Sequence, residues 1–518
     1  MKWTLRRNKV MDVTKIKNID KITYRGEFDE NTSPRKNLPE KASKMLPSIR
    51  EAIIKSGLKD GMTISFHHHF RNGDYIVNMV LDEIAKLGIK DLTVAASSLT
   101  SCHTPMIEHI KNGVVTHIET SGMRGDLAEA VSRGLMDTPV VFRSHGGRAD
   151  AIASGDIHID VAFLGAPTCD IMGNANGYNR YEENATMCGS LGYAKVDAEY
   201  ADCVVIITDH IVPYPNTPCG IPAVDVRYIV EVENIGDPNG IMSGATRYTK
   251  NPKELMIAKQ TAEVIEHSGY FKDGFSMQMG SGGASLATAR FLREKMEEQG
   301  IHCDFALGGI TGQIAEMHEA GLIDKILDVQ SFDLRAAESL KNNRFHAQID
   351  GCFYAGYDFV GAAVNALDFV ILSALEIDTD FNVNVLTGSD GVIRGAIGGH
   401  PDTADGAKMS VVVGPLTRGR IPTIVDHVQT VITPGVDVDV VVTDQGVAVN
   451  PRRPDLAEKL QEAGILLYSI EELKERAEKI VGKPDPIKYK DKVVGLALYR
   501  DNSIIDVIHE IDESDMSR

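Results

Sequence analysis

The strongest constraint on the fold is that the 518-residue chain repeats itself. Ala166-Pro-Thr168-Cys-Asp170-Ile-Met-Gly-Asn174-Ala-Asn176 reads against Ala374-Leu-Glu376-Ile-Asp378-Thr-Asp-Phe-Asn382-Val-Asn384, with Ala, Asp, Asn and Asn at the same spacing. Asp60-Gly61-Met-Thr-Ile reads against Asp273-Gly274-Phe-Ser-Met, Gly122-Met-Arg-Gly125 against Gly309-Ile-Thr-Gly312, and Asp202–Asp209 against Asp437–Asp444. The offsets are 213 residues for the Asp-Gly pair, 187 for the Gly pair, 208 for the Ala pair and 235 for the last. These are far longer than a solenoid period, so the pattern predicts a duplicated domain. Glu376 stands where the first copy has Thr168, which points to an active site where two halves meet.

Short runs that are apolar throughout alternate with segments of helical period, the signature of parallel strands covered on both faces. Such runs are Thr63–Phe66, Leu92–Ala96, Pro139–Phe142, Val161–Leu164 and Cys203–Thr208, then Ser276–Met279, Cys303–Leu307, Phe369–Leu372, Met409–Val413 and Val438–Val442. Helices are predicted at Tyr75–Leu87, Asp126–Gly134, Pro252–Glu266, Ser285–Glu298 and Glu471–Lys479. The expected class is α/β, with two duplicated domains, each a mostly parallel sheet flanked by helices. An extended arm is expected over 1–45, a first domain over 46–235, a linker over 236–250, a second domain carrying Glu376 over 251–485, and a tail over 486–518.

Charge is unevenly spread. Residues 1–50 carry a net +7 in a chain of net −19, so the remaining residues stand at −26. So acidic a body argues against nucleic acid as a partner. No apolar run reaches membrane-spanning length, and seven cysteines without a CxxC pair fit a reduced, cytoplasmic protein.

Open α/β sheets bind ligands at the carboxyl ends of their strands, where glycine loops let backbone amides approach. Gly280-Ser-Gly282-Gly283 follows a strand and opens a helix, and Gly308-Gly309 ends another strand. The densest loop, Gly391-Val-Ile-Arg394-Gly395-Ala-Ile-Gly398-Gly399-His400-Pro-Asp402, follows the Glu376 segment and suits an oxyanion hole with an anion clamp. Glu376 itself is flanked by Leu372, Ala374, Leu375 and Ile377, an apolar setting costly for a carboxylate without purpose or partner. In an extended His67-His68-His69, His67 and His69 share a face, but no third metal ligand is identifiable. Polar strand-end residues facing an anionic substrate are the preferred reading, and no bound metal is expected.

Ser373-Ala-Leu-Glu376-Ile-Asp378 with Asn382-Val-Asn384 resembles the glutamate-bearing element of CoA-transferases of the acetyl-CoA hydrolase/transferase group. Gly395–Asp402 is similar to their glycine loop, Val441–Ala448 to their closing strand, and Asp60-Gly-Met-Thr-Ile to their opening. The continuation Phe66-His-His-His-Phe70-Arg-Asn-Gly-Asp74 departs from the usual Gly-Gly-Phe, and with Asp170-Ile-Met-Gly-Asn174-Ala-Asn176 it is similar to the citrate lyase alpha-chain family. The resemblance covers roughly residues 45–515. It implies a transferase that exchanges acetate for citrate on an acyl-carrier-protein or CoA thioester, within a complex with beta and gamma subunits. It implies no cofactor bound by this chain, which would use acetyl-CoA or the dephospho-CoA-derived group of the gamma subunit. The family is described as passing through a ternary complex, the carboxylate attacking the acyl group directly.

On this reading Glu376, Gly398 and Gly399 are the catalytic candidates. Arg394, His67, His69, Arg71 and His400 are candidates for citrate, with Arg148 and Arg124 behind them. Gly282, Gly283, Gly308, Gly309, Asn382 and Asn384 are candidates for the thioester arm. Two alternatives compete. One is a general acetyl-CoA:carboxylate CoA-transferase or acyl-CoA hydrolase, and the other a non-catalytic assembly or sensing subunit.

Overall fold

The computed structural model describes residues 16–23, 43–182, 186–242, 249–280 and 282–512. Two units separate by their contacts, 1–43 and 44–518. Of the first, residues 16–23 and Ser43 are described, the former as a short turn around Ile19–Lys21 with no buried residue. Most of the basic arm therefore lies outside the described residues, as do 243–248 of the expected linker.

The larger unit is built on two main sheets. The first runs, from edge to edge, Met45–Leu46, Tyr228–Glu231, Cys203–Thr208, Val161–Gly165, Thr63–Phe66, Leu92–Ala96, Val115–Thr120, Val140–Phe142, Tyr489–Leu498 and Ile504–Ile511. The second runs His346–Gln348, Ile323–Ser331, Cys303–Ile310, Phe275–Met279, Phe369–Ser373, Met409–Val413, Val440–Thr443 and Gly446–Val449. All neighbours are parallel except the terminal hairpin of each sheet. Strands such as Val161–Gly165, Phe275–Met279 and Met409–Val413 are buried at every position, as helices on both faces require. The helices of the second half are locally well specified. Asn251 caps Pro252–His267 and accepts from the Lys253 amide, while Ser469 and Glu472 form a reciprocal capping box for Ile470–Val481.

The two sheets share one strand order. Tyr228, Cys203, Val161, Thr63, Leu92, Val115 and Val140 begin strands in the positions taken by those starting at Val440, Met409, Phe369, Phe275, Cys303, Ile323 and His346. This common order corrects two of the four sequence repeats. Cys203–Thr208 corresponds to Met409–Val413, not to the strand at Val440, and Gly122 follows the third of these strands in chain order, Val115–Thr120, while Gly309 ends the strand that corresponds to the second, Leu92–Ala96. Only the pairs with near-equal offsets, 213 and 208, occupy equivalent places. The others are short glycine and valine patterns that any parallel α/β half produces.

Each half also carries a small ribbon. Thr168–Asp170 pairs antiparallel with Ala175–Asn176 and parallel with Ile211–Val212. Glu376–Asp378 pairs in the same way with Val383–Asn384 and Ile424–Val425. Within 486–518, expected as a tail, Tyr489–Leu498 and Ile504–Ile511 instead form a hairpin, and Gly495–Ala497 extends the first sheet beside Val140–Phe142; residues 513–518 lie outside the described residues.

The halves meet along their glycine loops. Ile397 donates its amide to Ser121 O at 2.8 Å, Met123 donates to Gly395 O at 3.0 Å, and Gly122 bridges Ala396. Asp402 accepts from Ser144 Oγ at 2.7 Å and from the Gly146 amide at 2.9 Å. A side chain at Gly122 would collide with Ala396, and one at Gly146 with the Ala355 carbonyl, so glycine permits this close approach.

Candidate active site

A cleft of about 700 Å³ opens between the halves, at the carboxyl ends of strands from both sheets. Its described wall holds Arg71, Arg124, His68, His145 and His400 but no Asp or Glu. In a chain of net −19 this is a concentrated cationic concavity.

Arg71 comes from the turn after Thr63–Phe66, where the chain bends out of the strand at His67. Its backbone adopts φ +53°, a left-handed conformation uncommon for a non-glycine residue. The guanidinium lies 4.7 Å above the Phe332 ring and donates to Ile241 O at 3.2 Å, so both halves and the 236–242 segment hold it. Burial and the neighbouring Arg124 lower it to about 10, so it stays charged at neutral pH. Arg124 is also lowered by burial, and its side chain has no acceptor among the described residues. Two clustered arginines without a facing carboxylate await an anion.

The histidines sort differently from the expectation. Because the strand ends at Phe66, His67 and His69 do not face the cleft, and His68 does. His67 Nδ1 lies 3.2 Å from Ser97 Oγ, and burial and His69 push it down to about 3. His69 Nδ1 lies 2.5 Å from Asp74 Oδ2, both side chains fully buried. Burial alone would raise the Asp74 carboxyl, but His69 and His103 hold it well below its ordinary range. Asp74 also accepts the Ile76 amide at 2.9 Å at the start of the helix Ile76–Leu87. His69 therefore anchors the turn. His68 contacts Ser97 Oγ at 2.5 Å and Gln330 Nε2 at 3.1 Å across the halves, and burial holds it well below 6.5.

His400 lines the cleft as a neutral brace. Its Nε2 donates to Ser373 O at 3.2 Å, since a carbonyl can only accept, and Nδ1 therefore accepts from Thr433 Oγ1 at 2.6 Å. Burial lowers it to about 4. Arg394 is not on the wall. Its side chain is 55% exposed and pairs with Asp390 four residues earlier in the loop, which satisfies its charge locally. Arg148 is buried against Asp197 at 2.8 Å and 3.0 Å and donates to Ala95 O, a core ion pair rather than a ligand.

Among the glycines, Gly282, Gly309, Gly398 and Gly399 line the cleft. Gly282 is the N-cap of the helix Gly283–Gln299, whose unpaired amides and dipole favour an anion there. Gly398 has φ +59°, and neither its amide nor that of Gly399 has an acceptor among the described residues. An oxyanion hole needs N–H groups left open in this way. Gly283 and Gly308 lie just behind the wall. A side chain at Gly283 would reach Glu254, and one at Gly308 would meet Gln278, itself a wall residue.

Glu376 is buried, 2% exposed, and lies one residue beyond the wall residues Ala374 and Leu375. Its Oε2 accepts from Asn384 Nδ2 at 2.9 Å and from the Gln429 amide at 3.0 Å. Asn384, directly opposite in the ribbon, thus positions the carboxylate. Asn382 has another task. Its Nδ2 donates to Asp378 Oδ2 at 3.1 Å, and Oδ1 accepts the Gly435 amide at 2.9 Å, closing the turn of the ribbon.

Sequence reasoning missed His145, Tyr193, Gln278, Gln330 and Tyr354, all on the wall. A signal existed for His145: it precedes Gly146-Gly147 at the carboxyl end of Val140–Phe142 and begins a helix capped by Ser144. Tyr193 and Gln330 lie in segments with no motif of their own.

The profile of the family described as citrate lyase, alpha subunit (CitF), matches residues 42–511. The chain belongs to the citrate lyase alpha subunit family. It is 56% identical over 502 residues to the citrate lyase alpha chain of Escherichia coli (strain K12), covering 97% of this chain and 96% of that one. A solved Streptococcus mutans structure, assigned as the alpha subunit of citrate lyase in complex with citrate, matches with TM-score 0.89 and 61% identity over 92% of both chains. A 4-hydroxybutyrate CoA-transferase from Porphyromonas gingivalis, at TM-score 0.53 and 20% identity over 84% of this chain and 97% of that one, shares the fold alone.

Proposed function

We propose that the cleft between the halves is where this citrate lyase alpha subunit, a citrate:acetyl-thioester transferase, exchanges acetate for citrate. The observation that carries the site assignment is the wall itself: Arg71 and Arg124, two open glycine amides, and no facing carboxylate among the described residues. Citrate and a thioester carbonyl must be brought together although carboxylate attack concentrates negative charge. Arg71 and Arg124 offset the charge of citrate, and the Gly398 and Gly399 amides receive the carbonyl oxygen as it gains charge, at about 3 kcal/mol per donor. A citrate carboxylate oxygen bonds to the acetyl carbonyl carbon and the thiolate leaves, giving a mixed anhydride. The thiolate then attacks the citryl carbonyl, so citryl thioester forms and acetate departs.

Glu376 acts in this scheme as a fixed carboxylate rather than a nucleophile. Asn384 and the Gln429 amide hold its Oε2, and its neighbours Ala374 and Leu375 line the cleft while Glu376 itself is buried. The thioester is carried on the dephospho-CoA-derived arm of a gamma, acyl-carrier subunit, with acetyl-CoA able to replace it. A beta subunit takes the citryl product within a multi-subunit assembly in the cytoplasm. Incubating the pure chain with acetyl-CoA and citrate tests the reading. Acetate and citryl-CoA are expected, with butyrate and succinate poor substitutes. Equal use of butyrate would favour a general CoA-transferase, and absence of any turnover would favour a binding subunit.

A further inference from the structure

His145 is a wall residue that the scheme above leaves unused. It is the first residue of the helix His145–Ser154, and its amide donates to Gly398 O at 2.8 Å, which ties it to the oxyanion loop. His145 Cε1 lies 3.9 Å from where a Gly398 side chain would start, and no other atom of the described residues beyond the chain neighbours comes within 4 Å. The imidazole packs against the Tyr193 ring, with centroids 4.4 Å apart, and its Nδ1 is hydrogen-bonded to the Tyr193 hydroxyl. That hydroxyl has no other acceptor among the described residues, and the phenol is 6% exposed. A buried O–H left unpaired is costly, so Tyr193 donates and Nδ1 accepts. The imidazole hydrogen is then on Nε2, which has no protein partner among the described residues.

We propose that His145 Nε2–H is a third donor, beside the Gly398 and Gly399 amides, for the thioester carbonyl oxygen, and that Tyr193 holds the imidazole in that tautomer. The proposal rests on the transferase reading of the cleft. It requires a neutral ring, and burial with the nearby Arg148 and Arg71 cations lowers His145 to about 3. Burial, and the nearby Tyr354, keep the Tyr193 phenol protonated well above its ordinary range. No proton changes hands. A neutral N–H polarises the carbonyl without placing a further full charge beside Arg71, and the Nε2 hydrogen stays in place throughout the exchange.

The tautomer can be read on the full chain without substrate, by nitrogen NMR of ¹⁵N-histidine-labelled protein assigned with His145→Gln. A protonated Nε2 and a bare, hydrogen-bonded Nδ1 are expected, and the reverse tautomer would overturn the proposal. In the acetyl-CoA/citrate exchange, His145→Ala should lower kcat by roughly 10²-fold while the KM for citrate changes little. Tyr193→Phe should fall between that variant and the wild type, and His145→Gln, whose amide N–H reaches toward the Nε2 position, should recover part of the rate. Infrared spectra of bound ¹³C-carbonyl acetyl-CoA should show a carbonyl frequency lowered in the wild type and less so in His145→Ala. Should His145→Ala fail to fold, His145→Gln, Tyr193→Phe and the tautomer still decide. A wild type that forms no citryl-CoA would sink the transferase reading. A wild type that turns over, matched by His145→Ala in kcat and carbonyl frequency, would sink the His145 inference alone.

Discussion

The ribbons at Thr168–Asn176 and Glu376–Asn384 share one frame of Asp and Asn residues, and within it Thr168 of the first stands where the second has Glu376. In both, the first residue stands opposite the last, Thr168 against Asn176 and Glu376 against Asn384. Asp170 and Asp378 accept the amides of the tight turn, and Asn174 and Asn382 donate to those carboxylates at 2.7 Å and 3.1 Å. In the first ribbon Thr168 Oγ1 donates to Tyr178 O at 2.9 Å, and Asn216 Nδ2 donates to it at 3.3 Å. In the second a buried carboxylate takes that place, held by Asn384 and Gln429. The recurring Asp and Asn residues are therefore explained by the turn, while the glutamate is not. A frame that folds equally with threonine has no structural need of a buried charge, which leaves chemistry as the reason for it.

The comparison can be broken most sharply at Glu376. Glu376→Gln keeps an oxygen able to accept from both Asn384 and Gln429 but removes the charge. Citrate-dependent turnover should fall at least ~10²-fold with the melting temperature little changed, and Glu376→Ala should behave likewise. Near-normal turnover in both would show the carboxylate to be as dispensable as Thr168. A second test lies on the cationic wall, where neither ribbon contributes. Removing Arg71 or Arg124, each as Leu, should raise the KM for citrate by roughly 30-fold, about 2 kcal/mol of charge pairing, with a smaller effect on acetyl-CoA. Equal effects on both substrates would move citrate elsewhere.

Much of this arrangement is legible in the sequence because α/β halves announce themselves. Apolar runs such as Met409–Val413 match the strands to the residue, and the Glu376 repeat is visible since its offset equals, within a few residues, that of the Asp-Gly opening. The rest depends on contacts between distant segments. The turn that brings His68 to the wall in place of His67 and His69 is set by Asp74 packing on His69, a tertiary fact with no local pattern. Arg394 reads as a ligand in the sequence because Asp390 beside it is an ordinary loop residue until its side chain is placed. The hairpin at Tyr489–Ile511 joins a sheet whose other strands end some 350 residues earlier in that edge, at Phe142, and no periodicity reports that.

Two smaller effects sharpen the picture. His145 and His67, lowered to about 3, and His400, lowered to about 4, are neutral at physiological pH and gain charge only when pH falls toward those values. Citrate binding between about pH 7 and pH 8 should therefore draw no proton onto the wall, as calorimetry in buffers of different ionisation heat would show. Uptake near one proton would mean that a histidine, and not the arginine pair alone, faces citrate. The turn lock should cost the same in either ribbon. Asn174→Ala and Asn382→Ala should each destabilise by about 1–2 kcal/mol, and Asn382→Ala should retain most of kcat. Loss of rate without loss of stability in Asn382→Ala would return that residue to the thioester arm.

The central claim is that the exchange occurs directly between a citrate carboxylate and the thioester in the cleft, with Glu376 a fixed charge behind the wall. Incubation with acetyl-CoA alone, followed by borohydride or hydroxylamine and peptide mass analysis, tests it most directly. The account predicts an unmodified Glu376 in this sample, while addition of citrate yields citryl-CoA and acetate. An acyl or CoA adduct on Glu376 formed before citrate is added would contradict it.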